Sequence, residues 1–301
     1  MSLFNKLIVG TLPLIPKFIV GSISKRYIAG ERMIDAVRMV RKLNQERFMA
    51  TIDLLGEHAS RREEAIEAAD EYVRLIEAIA IEKLDSNVSI KLTHLGLKLD
   101  YEFCLANVSR IVAAAKERGN FVRLDMEDSS CTDDTMRMYM TLRRKYWNVG
   151  LVFQAYLRRT IRDIRSLIDD GMNINVRLCK GIYNEARTIA YNDKEIINRN
   201  FALLLRELFQ RGGYVAIATH DEKLVWEAFM LIDEFKLKPE QYEFQMLLGV
   251  DAELRRIIRD SGHRLRVYVP YGSQWYAYSA RRLKENPQIA RYVLNNLLKG
   301  S

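Results

Sequence analysis

Breakers are scarce: 15 Gly and 5 Pro in 301 residues. That excludes collagen-like, Pro-rich and low-complexity classes, in which a chain stays extended or open. Cysteine is scarcer still. Cys104, Cys131 and Cys179 are too few and too far apart for a disulfide framework or a Cys-x-x-Cys metal site, so a reducing, cytoplasmic compartment is expected. The four histidines, His58, His94, His220 and His263, are isolated and have no metal-ligand spacing, so no metal is expected. The chain lacks G-x-G-x-x-G, G-x-x-x-x-G-K-[ST] and G-x-S-x-G, which argues against a dinucleotide fold, a P-loop and a serine nucleophile elbow. It also lacks an apolar run near the ~20 residues of a membrane span. The apolar first 22 residues are interrupted by Lys6, Pro13, Pro16 and Lys17, and run into SISKRY without a signal-peptide cleavage site. This segment is expected to pack on the body of the protein, with contact to a membrane surface as the other reading.

What the chain does have is apolar and charged residues in a regular order. Hydrophobic residues make up 49%, and 47 Lys+Arg against 39 Asp+Glu leave a net charge of +8. Such a charge permits nucleic-acid or anionic-membrane contact but is equally at home in an enzyme of anionic substrates. Eight short β-branched or aromatic runs occur at 48–55, 88–93, 121–126, 149–154, 174–179, 214–219, 242–247 and 265–269, each reading as a buried strand. Stretches with helical spacing follow them at 61–84, 101–118, 132–146, 160–170, 183–211, 221–236, 251–261 and 275–298. Parallel neighbours need helical crossovers, and eight βα units are the number that closes a (βα)8 barrel. The expected organisation is an N-terminal helical arm over 1–46 and one barrel over 47–301.

In such a barrel the chemistry sits at the C-terminal ends of the strands. Those ends offer Asp53, Lys91 and Thr93, Asp125 and Glu127, Gln154, Arg177 and Lys180, Thr219 to Asp221, Gln245, and Tyr268 and Tyr271. Any one of them reads as a helix cap; together they describe a polar mouth on an apolar barrel. Lys180 suits a Schiff base, or, with Arg177 and Gly181 beside it, a site that holds an anion; the spacing favours the second. Further on, YAYSARRLKENP places Tyr278, Arg281, Arg282 and Glu285 within two helical turns. The two guanidiniums either grip a carboxylate or form a surface pair neutralised by Glu285.

The strand-end segments SIKLTHLG (89–96), VRLDMEDS (122–129), FQAYLRRT (153–160), NVRLCKGIYNE (175–185), IATHD (217–221), YEFQMLLG (242–249), YVPYG (268–272) and YSARRLKEN (278–286) resemble the proline dehydrogenase family. The similarity spans at least 48–290, with VRLxKGxY, ATH and RRLxEN as its most specific pieces. It implies a distorted, TIM-like (βα)8 barrel that binds FAD, oxidises L-proline to Δ1-pyrroline-5-carboxylate by hydride transfer, and passes electrons to a membrane quinone. By position, Arg281, Arg282 and Lys91 would bind the proline carboxylate, and Leu247, Tyr268 and Tyr278 would pack around the ring. Asp125 and Arg177 would be the catalytic pair, Asp125 between substrate and flavin and Arg177 beside flavin N5. Met126, Gln154, Lys180, Gly181, Ile182, Thr219 and His220 would line the FAD site. Ile182 departs from the family's more usual alanine, and Cys179 from valine.

The same resemblance implies a monofunctional form, with pyrroline-5-carboxylate dehydrogenase on a separate chain. It also implies peripheral contact with the inner face of the cell membrane and no nucleic-acid partner. Two other readings stay open at this stage: a non-catalytic basic scaffold on membrane or nucleic acid, and a flavoenzyme for another cyclic imino acid such as hydroxyproline.

Overall fold

Each apolar run alternates between residues that face a helix layer and residues that face inward, and this alternation closes the sheet. The computed structural model describes residues 26–279 except Glu57, Asn173 and Ala277. Eight parallel strands form a closed barrel in sequence order. They are β1 (Met49–Leu54), β2 (Ser86–Ile90), β3 (Val122–Leu124) and β4 (Val149–Gln154), then β5 (Asn175–Cys179), β6 (Tyr214–Ala218), β7 (Tyr242–Leu247) and β8 (Leu265–Tyr271). Closure comes from β1 and β8, paired from Met49 opposite Arg266 to Leu54 opposite Tyr271.

Helix α1 (Met33–Gln45) precedes the barrel. The crossovers are α2 (Arg62–Ile81), α3 (Tyr101–Glu117), α4 (Thr132–Arg143), α5 (Thr160–Asp169), α6 (Lys194–Gln210), α7 (Glu222–Glu234) and α8 (Ala252–Asp260). Helical backbone resumes at Trp275, and the described residues end at Ser279. Aspartates start four of these helices: Asp100, Asp193, Asp221 and Asp251 each accept a backbone N–H of the first turn of α3, α6, α7 and α8.

Two expectations need correction. The helical stretch assigned to 183–211 begins only at Lys194. The chain before it is tied down as a loop, because Glu185 accepts both the backbone N–H and the hydroxyl of Ser129 at 2.7 Å and Ala190 bridges to Leu157. The barrel is also not apolar inside. Val88, Ile90, Val122, Leu124, Val176, Leu178, Val215, Ile217, Phe244, Met246, Val267 and Val269 all belong to the main apolar core. The residues that alternate with them include Ser89, Arg123, Arg177, Glu243, Gln245 and Arg266, all buried.

Near the N-terminal ends of the strands, Arg266 donates to Glu243 at 2.9 Å and to the Ala50 carbonyl at 2.6 Å. Arg123 donates to the Asn175 carbonyl and side-chain oxygens at 2.7 and 2.6 Å. Buried charges stay charged only when their polar atoms are satisfied: Arg266 is paired with Glu243, and Arg123 is held by backbone and amide oxygens. Burial and the neighbouring Arg177 push Arg123 down to about 9, which leaves it protonated at neutral pH.

Candidate active site

Four of the residues expected to carry chemistry meet at the C-terminal mouth. Lys91 and Asp125 are the first residues beyond β2 and β3, while Arg177 and Tyr268 lie within β5 and β8. Asp125 is the hub. Its Oδ1 accepts from the Ser89 hydroxyl at 2.5 Å and from Arg177 Nη1 at 2.7 Å, and its Oδ2 accepts from the Tyr268 hydroxyl at 3.0 Å. Lys91 Nζ stands 3.8 Å from the same Oδ2, donates to Asp53 Oδ1 at 2.6 Å and lies 3.5 Å from the Tyr268 hydroxyl. The Arg177 guanidinium carbon is 5.3 Å from the centre of the Tyr268 ring, within cation–π range.

The electrostatics follow from this packing. Burial alone would raise the Asp125 carboxyl, but Arg177 and Lys91, with hydrogen bonds from Ser89 and Tyr268, more than offset it and hold it below the usual range. Asp53 goes the other way. Its complete burial outweighs the pull of Lys91, and the negative Asp125 nearby adds to the upward shift. Burial would lower the Lys91 ammonium, yet Asp53 and Asp125 hold it above its ordinary value. Burial, then Asp125 and Asp53, push the Tyr268 phenol well up, so it is a donor throughout the working range.

A second group lies around the ends of β4, β5 and β6. Gln154 donates through Nε2 to the Met126 and Glu127 carbonyls at 3.1 and 3.3 Å. Its Oε1 is buried with no partner among the described residues. Lys180 donates to Asp221 at 2.6 Å, so the cation expected to meet an anion already has a carboxylate. Asp221 also accepts from Asn198 at 3.0 Å, and its own N–H donates to the Thr219 hydroxyl at 3.1 Å. The Leu247 N–H donates to His220 Nε2 at 3.2 Å, which places the imidazole proton on Nδ1 when the ring is neutral. Met126 is buried, whereas Ile182 is 51% exposed.

Gly181 has φ +101°, and a Cβ there would lie 2.1 Å from the Tyr156 ring. Left-handed backbone and close packing both require glycine at this position. Gly181→Ala is expected to cost ~1–3 kcal/mol or more, read as a lower melting temperature; an unchanged melting curve would mean that this loop is looser than its packing.

Tyr278 packs with Tyr27, Ile28 and Leu55 beside the mouth, and Leu247 closes β7 half-buried. Arg281 and Arg282 lie outside the described residues. The cluster also holds side chains not among the expected site residues. Asp53 and Gln245 stood out only as strand ends, and Ser89 not at all, although Ser89 lies two residues before Lys91 and therefore on the same face of the strand. Among the described residues no group of three or more His, Cys, Asp or Glu could hold a metal ion.

The family model described as proline dehydrogenase matches residues 36–293. Proline dehydrogenase 1 of Bacillus subtilis subsp. natto is 38% identical over 276 residues, covering 92% of this chain and 91% of the relative. The proline dehydrogenase of Deinococcus radiodurans is 37% identical over 284 residues, 93% and 91% of the two chains. Among solved structures, proline utilization A (PutA) from Bdellovibrio bacteriovorus inactivated by N-propargylglycine superposes with a TM-score of 0.85 at 26% identity. It matches 94% of this chain, which spans 36% of that longer protein.

Proposed function

The chain belongs to the proline dehydrogenase family, and we propose that its barrel binds FAD and passes the electrons of L-proline oxidation to a membrane quinone. Oxidation of proline is the first step of proline catabolism. The observation that carries the reading is the Lys91, Asp125, Arg177 and Tyr268 cluster at the mouth, two cations and a phenol held by a half-buried carboxylate.

No side chain accepts a hydride, so a cofactor must; a flavin held here would supply the acceptor for the hydride on the carbon next to the proline nitrogen. The residues present fit such a group. The orphaned Gln154 Oε1 suits an N–H of the isoalloxazine edge, and the other end of the same amide is fixed on the Met126 carbonyl. Gly181, Ile182, Thr219 and His220 line the adjoining wall, where Lys180 shares its charge with Asp221.

The protein's own work is orientation and electrostatics. Lys91, with Arg281 and Arg282, holds the substrate carboxylate, while Leu247, Tyr268 and Tyr278 confine the ring, so that one C–H is presented in one direction. Arg177 supplies a fixed positive charge near the hydride's destination without needing to gain or lose a proton. Asp125 orients Arg177 and Tyr268 and has the wrong proton affinity for a base, since its carboxyl is held low. Proline that arrives with its amine deprotonated needs no base for hydride departure, because the nitrogen lone pair drives it; the protonated imine that results then releases its N–H proton to water as Δ1-pyrroline-5-carboxylate.

The division into an arm over 1–46 and a barrel over 47–301 belongs to the same proposal. So do a cytoplasmic location with peripheral contact at the inner membrane face, favoured by the net charge of +8, and a separate chain for the next dehydrogenase. Among the described residues no helix is long and apolar enough to cross a membrane.

The test is anaerobic titration of the FAD-reconstituted protein with L-proline. The visible flavin absorbance is expected to bleach, and turnover on quinone-containing membranes to match or exceed that with a soluble dye. In Arg281→Met or Arg282→Met, KM for proline should rise by about tenfold to a hundredfold with flavin content unchanged. A protein that takes up no flavin would overturn the reading, and loss of flavin in the arginine variants would misplace the pair.

A further inference from the structure

Arg177 is held from below as well as from the side. Its Nε donates to Gln245 Oε1 at 2.5 Å, and Gln245 Nε2 donates in turn to Glu243 Oε1 at 2.5 Å. Glu243 also accepts from Arg266 Nε and from the Tyr214 hydroxyl, both at 2.9 Å. We propose that Gln245, braced by Glu243, is a positioning residue that fixes the Arg177 guanidinium for the hydride step. This rests on the reading of Arg177 as the charge beside the flavin.

Three features make the bracing directional. A guanidinium only donates and an ionised carboxylate only accepts, so an amide between them has one satisfied orientation. Glu243 is held ionised: burial would raise it, but Arg266, the hydrogen bonds from Arg266 and Gln245, and Arg123 bring it to about 2. Flipping Gln245 would set its oxygen against a carboxylate and its NH2 against a guanidinium, two buried clashes in a medium where each is costly.

The geometry is also permitted by the strand between. Arg177 is on β5 and Gln245 on β7; the residues of β6 paired with them are Ala216 and Ala218. Small residues there let the two side chains meet across the strand. With Nε on Gln245 and Nη1 on Asp125 and Ser89, two edges of the guanidinium are pinned. Among the described residues Nη2 has no hydrogen-bond partner and is the nitrogen left for a ligand.

Gln245→Met keeps the volume and removes both hydrogen bonds; Gln245→Asn keeps the amide but is a methylene too short. Each is expected to lower kcat by about tenfold with KM for proline changed by less than about twofold. The same tenfold loss of stabilisation reads as a midpoint potential of the bound flavin ~30 mV more negative. Arg177→Met should shift the potential in the same direction, and the double variant with Gln245→Met should add nothing further. If Arg177→Met moves the potential while both Gln245 variants leave it in place, the bracing role is wrong and the placement of Arg177 stands. If Arg177→Met leaves the potential unchanged, the placement itself fails and the proposal with it. An additive double variant would likewise overturn it.

Discussion

Asp125→Asn is expected to lower kcat/KM for proline by about 10²–10³ while leaving a flavin-binding protein. Asparagine has nearly the same shape but one acceptor oxygen, whereas Asp125 accepts from Ser89, Arg177 and Tyr268 across two. The amide NH2 must therefore replace one of these oxygens, so that Arg177 or Tyr268 loses its acceptor, and Arg177 and Lys91 each lose a countercharge. Breaking a buried pair by removing one partner costs ~3–5 kcal/mol, less here because the amide oxygen still accepts.

The pH dependence has a definite sign. The folded-state pKa of Asp125 lies below its ordinary value of 3.8, so the stability it contributes is present above that value and lost as pH falls through the folded pKa. The melting-temperature gap between the protein and Asp125→Asn should be widest near neutrality and close under acid. The same depression sets the kinetic outcome. An acid limb of the pH–rate profile does not belong to Asp125, so the limb should persist in Asp125→Asn at the lower absolute rate. Disappearance of the limb together with the activity would make Asp125 a general base and sink the orienting role.

Much of this arrangement was written in the period of the strands. Once VRL, NVRLC, YEFQML and LRVYV are read with alternate residues on opposite faces, Arg123, Arg177, Glu243, Gln245, Arg266 and Tyr268 all fall inside the barrel. Composition counts both faces of each run together and so suggests an apolar interior. Barrel number and strand order were legible because eight apolar runs alternate with helical stretches, a pattern that survives errors at either end of an element. Pairings across strands were not. Nothing in the sequence brings Lys91 to Asp53, 38 positions away, or Gln245 to Arg177, 68 positions away. Those distances are fixed only when the sheet closes. The loop at 183–193 reads as helix for a related reason: helical spacing is local, but Glu185 is claimed by Ser129 on another strand's loop, and Asp193 starts the helix afresh.

Lys91→Met is the change expected to have the largest combined effect, because Lys91 serves both the substrate and a buried acid. As a carboxylate contact, its loss should raise KM for proline by about tenfold to a hundredfold, the worth of one charge-assisted hydrogen bond. As the partner of Asp53, its loss strands a carboxyl that is 0% exposed and whose Oδ2 already has no hydrogen-bond partner among the described residues. The cost is ~3–5 kcal/mol if Asp53 stays ionised, and it is reduced when Asp53 takes up a proton. Asp53 already has a folded-state pKa raised above 3.8, and removing the cation moves it further up. A carboxyl with a raised folded pKa favours the folded state fully below its unfolded pKa and loses that advantage as pH rises through the folded one. Lys91→Met should therefore melt close to the parent protein in acid and progressively lower as pH climbs past the shifted Asp53 value. Adding Asp53→Asn removes the stranded charge, so the double variant should recover most of the melting temperature at neutral pH but none of the proline KM. Recovery of both would mean that Lys91 only neutralises Asp53, and a melting deficit independent of pH would mean that the lost packing of the lysine stem, not the buried charge, sets the cost.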